Sequence, residues 1–332
     1  MLHTPHSPYI AQRDSLDGGF SKGWGFHFSP SEEYVVDCHA HCDFEGTPEE
    51  LSRLLDRWFA YTEAYRQQKI VAFVQKESQF STFQQLQQRD ERLQWMFWPE
   101  TGRPELSQIQ RAKSMGACGL KLHSKPIMSG EVPFSIWESA LWQEIFSWLE
   151  QNQIPVLWHV TQRVSYSPYH GGGYNAYFAD GQKKGVNVTN QQLLEQLRRI
   201  LEQYPALPII GAHQLYLGLD ALSRLFDQYP NLYIDTSVGC FVRWCDQLYE
   251  EDRQRWYDFF TRYPDRILFG TDTDLSDAGI CEYQKEAFVS HLRFIHQLRL
   301  PYETLQMVCW RNTERILSIP ASSSVRKFNT RP

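Results

Sequence analysis

Short apolar runs alternate with longer amphipathic stretches along the chain from Tyr34 onward. The short runs are rich in β-branched and aromatic residues, which predicts buried strands, and the stretches between them have the apolar spacing of helices. The predicted strands span residues 35–41, 70–75, 94–98, 117–123, 155–160, 208–213, 232–236 and 267–272. The predicted helices span residues 47–67, 81–91, 105–115, 136–152, 190–204, 219–229, 246–263 and 280–298.

Eight strand–helix units without a Gly/Pro-rich linker predict an α/β fold, a single (β/α)8 TIM barrel. A doubly wound open sheet is the alternative, but it normally carries a glycine-rich phosphate turn after its first strand, where this chain has His-Ala-His. We expect the barrel domain at residues 34–318, a short irregular arm at 1–33 and a flexible tail at 319–332. The long Tyr- and Gly-rich interval 163–189 predicts either a substrate lid or an ordinary surface insertion.

The amino-acid composition limits the classes of molecule that we expect this protein to bind. The 332 residues include 33 Lys and Arg against 39 Asp and Glu, a formal net charge of −6. This mild acidity, without a basic run, argues against nucleic acid as a partner. No long apolar run and no secretory leader are visible, so we expect no membrane partner and a cytoplasmic location. A small-molecule substrate is expected, and the aromatic helix faces leave a homo-oligomer open.

Histidines are concentrated at the ends of the predicted strands. Five of the eleven fall there, namely His39, His41, His123, His159 and His213. The carboxyl ends of all strands in a parallel barrel surround one mouth, so residues distant in sequence converge on one small volume. The sequence therefore predicts a functional site at this mouth.

The spacing of His39 and His41 indicates a metal site. Residues two apart on a strand share a face, so both imidazoles can chelate one ion. His159 and Asp272 end apolar strands, where an unpartnered polar group carries a desolvation penalty. Three imidazoles and one carboxylate suit Zn²⁺ and leave a position for water. For His123 taken alone, a packing role is the commoner outcome.

Four segments resemble the strand-end motifs of the amidohydrolase superfamily. They are Val-Asp-Cys-His-Ala-His at 36–41, Pro-Val-Leu-Trp-His at 155–159, Ile-Gly-Ala-His at 210–213 and Ile-Leu-Phe-Gly-Thr-Asp at 267–272. Within the superfamily they are similar to the amidohydrolase-2 group, which contains hydrolases and relatives of aminocarboxymuconate-semialdehyde decarboxylase. Segments 119–123 and 312–317 are similar to further segments of that group. The resemblance implies a metal-bearing (β/α) barrel.

This resemblance implies roles for five residues. His39, His41, His159 and Asp272 correspond to the metal ligands, and His213 to a nearby acid, base or electrophile. Physical chemistry is consistent with these roles, because a metal-activated water can attack a carbonyl while Asp272 or His213 accepts its proton.

Further candidates for substrate binding or for support of the ligands are Asp37, Lys121, His123, Arg163 and Arg243. Asp37 either orients an imidazole or is a structural group beneath the site. Lys121 either is carboxylated and bridges two ions, as in binuclear members of the superfamily, or binds a substrate carboxylate as a cation. We expect one ion. Arg163 and Arg243 are either anion clamps or solvated surface charges.

The expected function is metal-dependent hydrolysis of an amide, ester or lactone of a small, carboxylated molecule. The alternative is non-oxidative decarboxylation of a small unsaturated or aromatic acid, in which His213 helps to protonate carbon. A non-catalytic binding barrel is disfavoured because all the ligand types and His213 are present. The metal set serves both reactions, so the sequence separates them poorly.

Overall fold

The computed structural model describes residues 34–162, 176–237, 250–275 and 282–321. The strands are β1 (Val35–His41), β2 (Gln67–Val74), β3 (Leu93–Phe97), β4 (Leu120–His123), β5 (Val156–His159), β6 (Ile209–Gly211), β7 (Leu232–Asp235), β8 (Ile267–Leu268) and β9 (Thr273–Asp274). The helices are α1 (Pro48–Thr62), α2 (Phe80–Arg89), α3 (Leu106–Ser114), α4 (Lys125–Met128), α5 (Ala140–Gln151), α6 (Ala176–Lys183), α7 (Asn190–Gln203), α8 (Leu219–Gln228), α9 (Glu250–Arg262), α10 (Glu282–Gln297), α11 (Tyr302–Gln306) and α12 (Asn312–Ile316). A π-helical turn, Met307–Arg311, joins α11 to α12.

All the described strand pairs are parallel, in the order β8-β7-β6-β5-β4-β3-β2-β1-β9. Because β9 follows β8 in the chain and pairs with β1, the last strand segment returns to the first and the barrel closes. The Cys38 N–H donates to the Phe269 carbonyl and the Asp272 N–H to the His39 carbonyl, both at 2.9 Å. The predicted single (β/α)8 TIM barrel is confirmed. We call the junction of β1 with residues 267–274 the seam.

The predicted eighth strand, 267–272, is wrong in its extent. It divides into two short strands because Asp272 has a positive φ of 61°, which extended backbone does not allow. Gly270 precedes it, and a Cβ at this position would lie 3.0 Å from the Cβ of His39, so only glycine fits there without displacement. The Gly-Thr-Asp segment thus shapes the seam.

Two apolar layers surround the sheet. Inside the barrel, small and medium side chains from six strands pack together, including Val36, Val71, Met96, Leu157, Ile210 and Leu268. Between the sheet and the helices the layer contains many buried aromatic residues, including Trp58, Trp95, Trp137, Trp142 and Trp158. No helix within the described parts of the chain has the length and apolar character needed to cross a membrane.

The start of α1 follows from its sequence. The Thr47 hydroxyl accepts a hydrogen bond from the Glu50 N–H at 3.3 Å, and the Glu50 carboxylate accepts one from the Thr47 N–H at 2.8 Å. This reciprocal pair is a capping box, and with Pro48 in the first turn it fixes the start of the helix. The helix ends earlier than predicted, because a 3₁₀ turn and the positive φ of Arg66 lead directly into β2.

Asn312 joins α12 to the end of the barrel. Its side-chain amide is buried and donates to the carbonyls of Pro264 and Ile267, each at 2.8 Å. Asn312→Ala should lower the free energy of unfolding by about 1–3 kcal/mol, because two buried carbonyls lose a donor. Urea unfolding followed by circular dichroism measures this, with the exposed Gln254→Ala as control. A loss no larger than that of the control would contradict the assignment.

We expect His296 on α10 to make the free energy of unfolding depend on pH. Burial lowers its pKa from 6.5 to about 4. Between these values the unfolded chain binds more protons than the folded one, so the free energy of unfolding should fall as pH is lowered through this window. Urea unfolding at several pH values should show a shallower slope for His296→Gln than for the wild type. Equal slopes would contradict the prediction, because they would show that this imidazole binds protons equally in the folded and unfolded states.

Candidate active site

Three donor atoms converge at the mouth of the barrel. The Nε2 atoms of His39 and His41 each lie 3.1 Å from Oδ1 of Asp272. The His39 side chain is fully buried, whereas about a third of the side chains of His41 and Asp272 is exposed. These atoms are close enough together to hold one metal ion. The seam creates this group, because β1 supplies both imidazoles and the turn between β8 and β9 supplies the carboxylate.

The donor set fits a divalent ion. Nδ1 of His39 lies 2.7 Å from Oδ2 of Asp235, and a carboxylate only accepts, so Nδ1 carries a proton. In the neutral ring Nε2 then keeps its lone pair. That lone pair faces Oδ1 of Asp272 at 3.1 Å, two acceptors that a cation or proton satisfies together, and the Lys121 ammonium lies 3.1 Å from the same Nε2. Two imidazoles and a carboxylate are ordinary zinc ligands.

Asp235 was missed by the sequence reasoning. It ends β7, is fully buried, and bonds to His39 from the far side of the imidazole. Burial acts to raise the pKa of this carboxyl, but His39 and the hydrogen bonds outweigh it and hold the pKa at about 2. A carboxylate ending an apolar strand was the available signal, the same signal that selected Asp272.

A second group of potential metal donors, His39, His213 and Asp235, is already satisfied by hydrogen bonds. The Ser237 hydroxyl lies among them, 2.6 Å from Oδ1 of Asp235, 2.9 Å from Nδ1 of His213 and 3.1 Å from Nδ1 of His39. This group is therefore a hydrogen-bond network behind the donor atoms that face the mouth.

His159 and His213 lie beside each other, and the ring centre of His213 is 5.1 Å from that of His39. Nδ1 of His159 is 3.0 Å from Nε2 of His213, and Nε2 of His159 is 3.0 Å from Nε2 of Gln162. Both histidines line the same cavity as His41 and Asp272. The role of His159 as a fourth ligand stays a prediction.

His213 begins an unusual turn. Residues 213–216 all have positive φ, between 48° and 60°, so the chain makes a left-handed turn directly after β6. Such backbone costs roughly 1–2 kcal/mol per residue and must be held by its surroundings. The side-chain amide of Gln214 donates to the carbonyls of Asp235 at 2.7 Å and Ser237 at 3.0 Å. The predicted sixth strand, 208–213, accordingly ends at Gly211.

Lys121 lies beneath the donor group. Its side chain is almost completely buried, and Nζ is 3.1 Å from Nε2 of His39 and 4.6 Å from the ring centre of Phe73. Burial lowers the pKa of the ammonium to about 8, against the opposing effect of Asp272 and Asp235. Lys121 therefore faces His39 and does not line the open cavity.

Asp37 is placed below the mouth, where it supports the seam. Its carboxylate accepts hydrogen bonds from the Thr271 hydroxyl at 2.5 Å, the Thr271 N–H at 3.1 Å and the His39 N–H at 3.0 Å. Burial raises its pKa to about 7. Asp37 thus positions the backbone on both sides of the seam, while the imidazole of His39 is oriented by Asp235.

A cavity of about 670 Å³ opens above these residues, a size typical of small-molecule sites. Near-parallel rings form one side of it: Trp98 and His123 are 5.9 Å apart at 12°, and His123 and His159 are 4.0 Å apart at 22°. Nδ1 of His123 accepts the Lys125 N–H at 2.8 Å. Arg163, Arg243 and residues 163–175 of the candidate lid lie outside the described residues.

Burial and neighbouring charges shift the pKa values of the side chains in the site, so that some of these side chains are neutral and others are ionised. Burial lowers the pKa values of His123 and His159 well below the usual range, and that of His213 to about 3. Burial and Lys121 lower the pKa of His39, but the carboxylates raise it by more. Burial acts to raise the pKa of Asp272, yet His39 and His213 hold it well below its usual value. Neutral imidazoles and an ionised carboxylate are the forms that bind metal.

Comparisons with known proteins agree with this architecture. A search of curated proteins finds no match. Similar solved structures include an uncharacterised TIM-barrel protein from Bordetella bronchiseptica, with 13% identity, 86% of this chain and 99% of that chain covered, and a TM-score of 0.56. Dihydroorotase from Campylobacter jejuni has 15% identity, 87% and 85% coverage and a TM-score of 0.56. 2,6-Dihydroxybenzoate decarboxylase from Rhizobium has 13% identity, 86% and 99% coverage and a TM-score of 0.51.

At these identities the similar structures establish the fold. The family itself is established by sequence, because the family model for amidohydrolase matches residues 36–319, most of the chain. That range contains the seam, the three converging donors and the residues that support them. The chain therefore belongs to the amidohydrolase family.

Proposed function

We propose that this protein is a metal-dependent hydrolase that cleaves an amide, ester or lactone of a small molecule. The convergence of His39, His41 and Asp272 beside an open cavity carries the proposal. These residues would hold a single zinc ion, with His159 as the fourth ligand. A divalent ion bound there would supply an activated water and would polarise the substrate carbonyl.

Residues around the donors are suited to moving protons. Asp272 is ionised and partly exposed to the cavity, so it can accept a proton from the attacking water. His213 is neutral and lines the same cavity, so it can accept a proton and pass it to the leaving group. Asp235 keeps the Nε2 lone pair of His39 directed at the donor group.

The cavity indicates the kind of substrate. Its ring-lined side offers flat contact surface, and Lys125 and Lys76 are at its border together with Glu100 and Glu131. Lys76 is ion-paired with Glu45, so Lys125 is the cation that we assign to a carboxylate on the substrate. We therefore propose a small, carboxylated molecule with a hydrolysable carbonyl.

A second candidate is non-oxidative decarboxylation. The near-parallel rings of Trp98, His123 and His159 favour a planar substrate, as an aromatic or conjugated acid would be. A similar structure is a decarboxylase of 2,6-dihydroxybenzoate, which is such an acid. In this reaction His213 would deliver a proton to carbon.

Metal analysis and a substrate panel test both candidates. Protein expressed with added zinc should contain one divalent ion per chain by plasma mass spectrometry. A panel of lactones, amides and esters is then assayed beside aromatic and muconate-type acids, with carbon dioxide release recorded. Hydrolysis supports the first candidate, and carbon dioxide release without hydrolysis replaces it with the second. Protein that folds but takes up no stoichiometric metal would overturn both.

A further inference from the structure

The carboxylate of Asp235 is the centre of a fully buried hydrogen-bond network. Oδ1 accepts the Ser237 hydroxyl at 2.6 Å, the His213 N–H at 2.8 Å and the Ser237 N–H at 3.1 Å. Oδ2 faces Nδ1 of His39 at 2.7 Å. Asp235, Ser237 and His39 are fully buried and His213 is 2% exposed, so these contacts are shielded from water.

The protons in this network can be assigned from the chemistry of its atoms. A serine hydroxyl has one proton, and the 2.6 Å contact to a carboxylate oxygen requires that proton. The Ser237 oxygen can then only accept from Nδ1 of His213, at 2.9 Å. Nδ1 of His39 likewise donates to Asp235. Both imidazoles, when neutral, therefore carry their proton on Nδ1.

We propose that Asp235 and Ser237 are positioning residues that fix the Nδ1–H tautomers of His39 and His213. Asp235 acts directly on His39, and it acts on His213 through the Ser237 hydroxyl. The lone pair on Nε2 of His39 is thereby kept for the metal, and the lone pair on Nε2 of His213 for the proton that moves. The catalytic consequence rests on the proposed function, whereas the tautomers themselves do not.

The same carboxylate holds the strained backbone that presents His213. The His213 N–H donates to the Asp235 carboxylate, and the Gln214 side chain donates to the backbone carbonyls of Asp235 and Ser237. The left-handed turn at residues 213–216 is stabilised at its first residue by this contact. Asp235 thus sets both the position of the His213 backbone and the proton on its ring.

Replacing Asp235 by asparagine gives a specific expected result. Two backbone N–H groups and one hydroxyl point at the Oδ1 position, so the single amide oxygen should occupy it. The amide nitrogen then faces Nδ1 of His39 and donates to it. His39 must accordingly move its proton to Nε2, the atom that the metal requires.

The experiment is long-range ¹H–¹⁵N correlation NMR on metal-free protein with ¹⁵N-labelled histidine, under alkaline conditions where imidazoles are neutral. His39→Gln and His213→Gln assign the signals. We expect both residues as Nδ1–H tautomers in the wild type and His39 as Nε2–H in Asp235→Asn. Zinc affinity, measured by competition with a chromophoric chelator, should fall about 10–100-fold in Asp235→Asn. The exposed Asp227→Asn is the matched control.

Variants of Ser237 distinguish the effect of the network on His213 from its effect on His39. Ser237→Ala should leave the His39 tautomer unchanged and zinc affinity within about threefold of the wild type, while His213 loses its fixed Nδ1–H form. Ser237→Thr, which keeps the hydroxyl, should restore the His213 tautomer. Loosened packing alone would not change the His213 tautomer while leaving the His39 tautomer and the zinc affinity unchanged.

Several outcomes would overturn the proposal. One is a wild-type spectrum with His39 or His213 as Nε2–H, which remains measurable even if Asp235→Asn does not fold. Another is an Asp235→Asn protein that keeps the wild-type tautomers and zinc affinity. Wild-type protein that shows both Nδ1–H tautomers but binds no metal would refute the proposed function and leave this inference standing.

Discussion

Replacing His41 by alanine should lower the affinity of the protein for zinc by more than about 100-fold, since loss of a supporting residue alone costs about 10–100-fold. The variant should still fold, because the His41 side chain is about one-third exposed at the end of β1. Asp272→Asn should have a comparable effect on affinity, because it replaces a charged ligand with a weaker neutral one. Chelator competition measures the affinity, and plasma mass spectrometry measures the metal content of purified protein.

The matched control for this prediction is His296→Gln, which changes a histidine on α10 outside the lining of the cavity. Its zinc content should equal that of the wild type. Retention of one tightly held ion by both His41→Ala and Asp272→Asn would contradict the assignment. It would place the ion among other residues, with the second donor group, His39, His213 and Asp235, as the first region to examine.

Replacing His213 by asparagine should lower turnover about 100- to 10,000-fold while zinc stays bound, because a positioned proton-transfer group contributes this much. The metal donors His39, His41 and Asp272 are unchanged in this variant. Turnover of whichever substrate the panel identifies is compared with zinc content measured on the same preparation. The effect should appear in kcat more than in KM if His213 acts on the reacting atoms.

The outcome of this test shows whether His213 takes part in proton transfer or in metal binding. Loss of zinc from His213→Asn would assign the residue to metal binding, together with its neighbour His159 at 3.0 Å. Unchanged turnover would remove it from the mechanism. His296→Gln again serves as the control, with turnover expected to match the wild type.

Much of the site was predictable because its signals are local. His39 and His41 are two residues apart, so strand periodicity places both on one face, and the structure brings both to Asp272. The number of strand-helix units was sufficient to predict the closed barrel. Helix α1 could be predicted to begin at its capping box, because Thr47 and Glu50 are neighbours in sequence.

Other features depend on contacts that the sequence does not reveal. Asp235 ends an apolar strand, which marks it as a candidate, but its partner is a histidine 196 residues away and no local pattern pairs the two. Ser237 gave no signal, since an isolated serine after a strand is common in loops. The left-handed turn at 213–216 was also unpredictable, because its residues have no glycine and its geometry is imposed by tertiary hydrogen bonds.

The seam has a consequence for how the protein matures in the cell. Asp37 and Thr271, which bond across it, lie 234 residues apart, so β1 leaves the ribosome long before its partner segment is synthesised. A zinc ion captured by the nascent His39–His41 pair would lack the carboxylate and exchange readily. Stable loading of the proposed ion would therefore come at the end of biosynthesis, when the last strand joins the first.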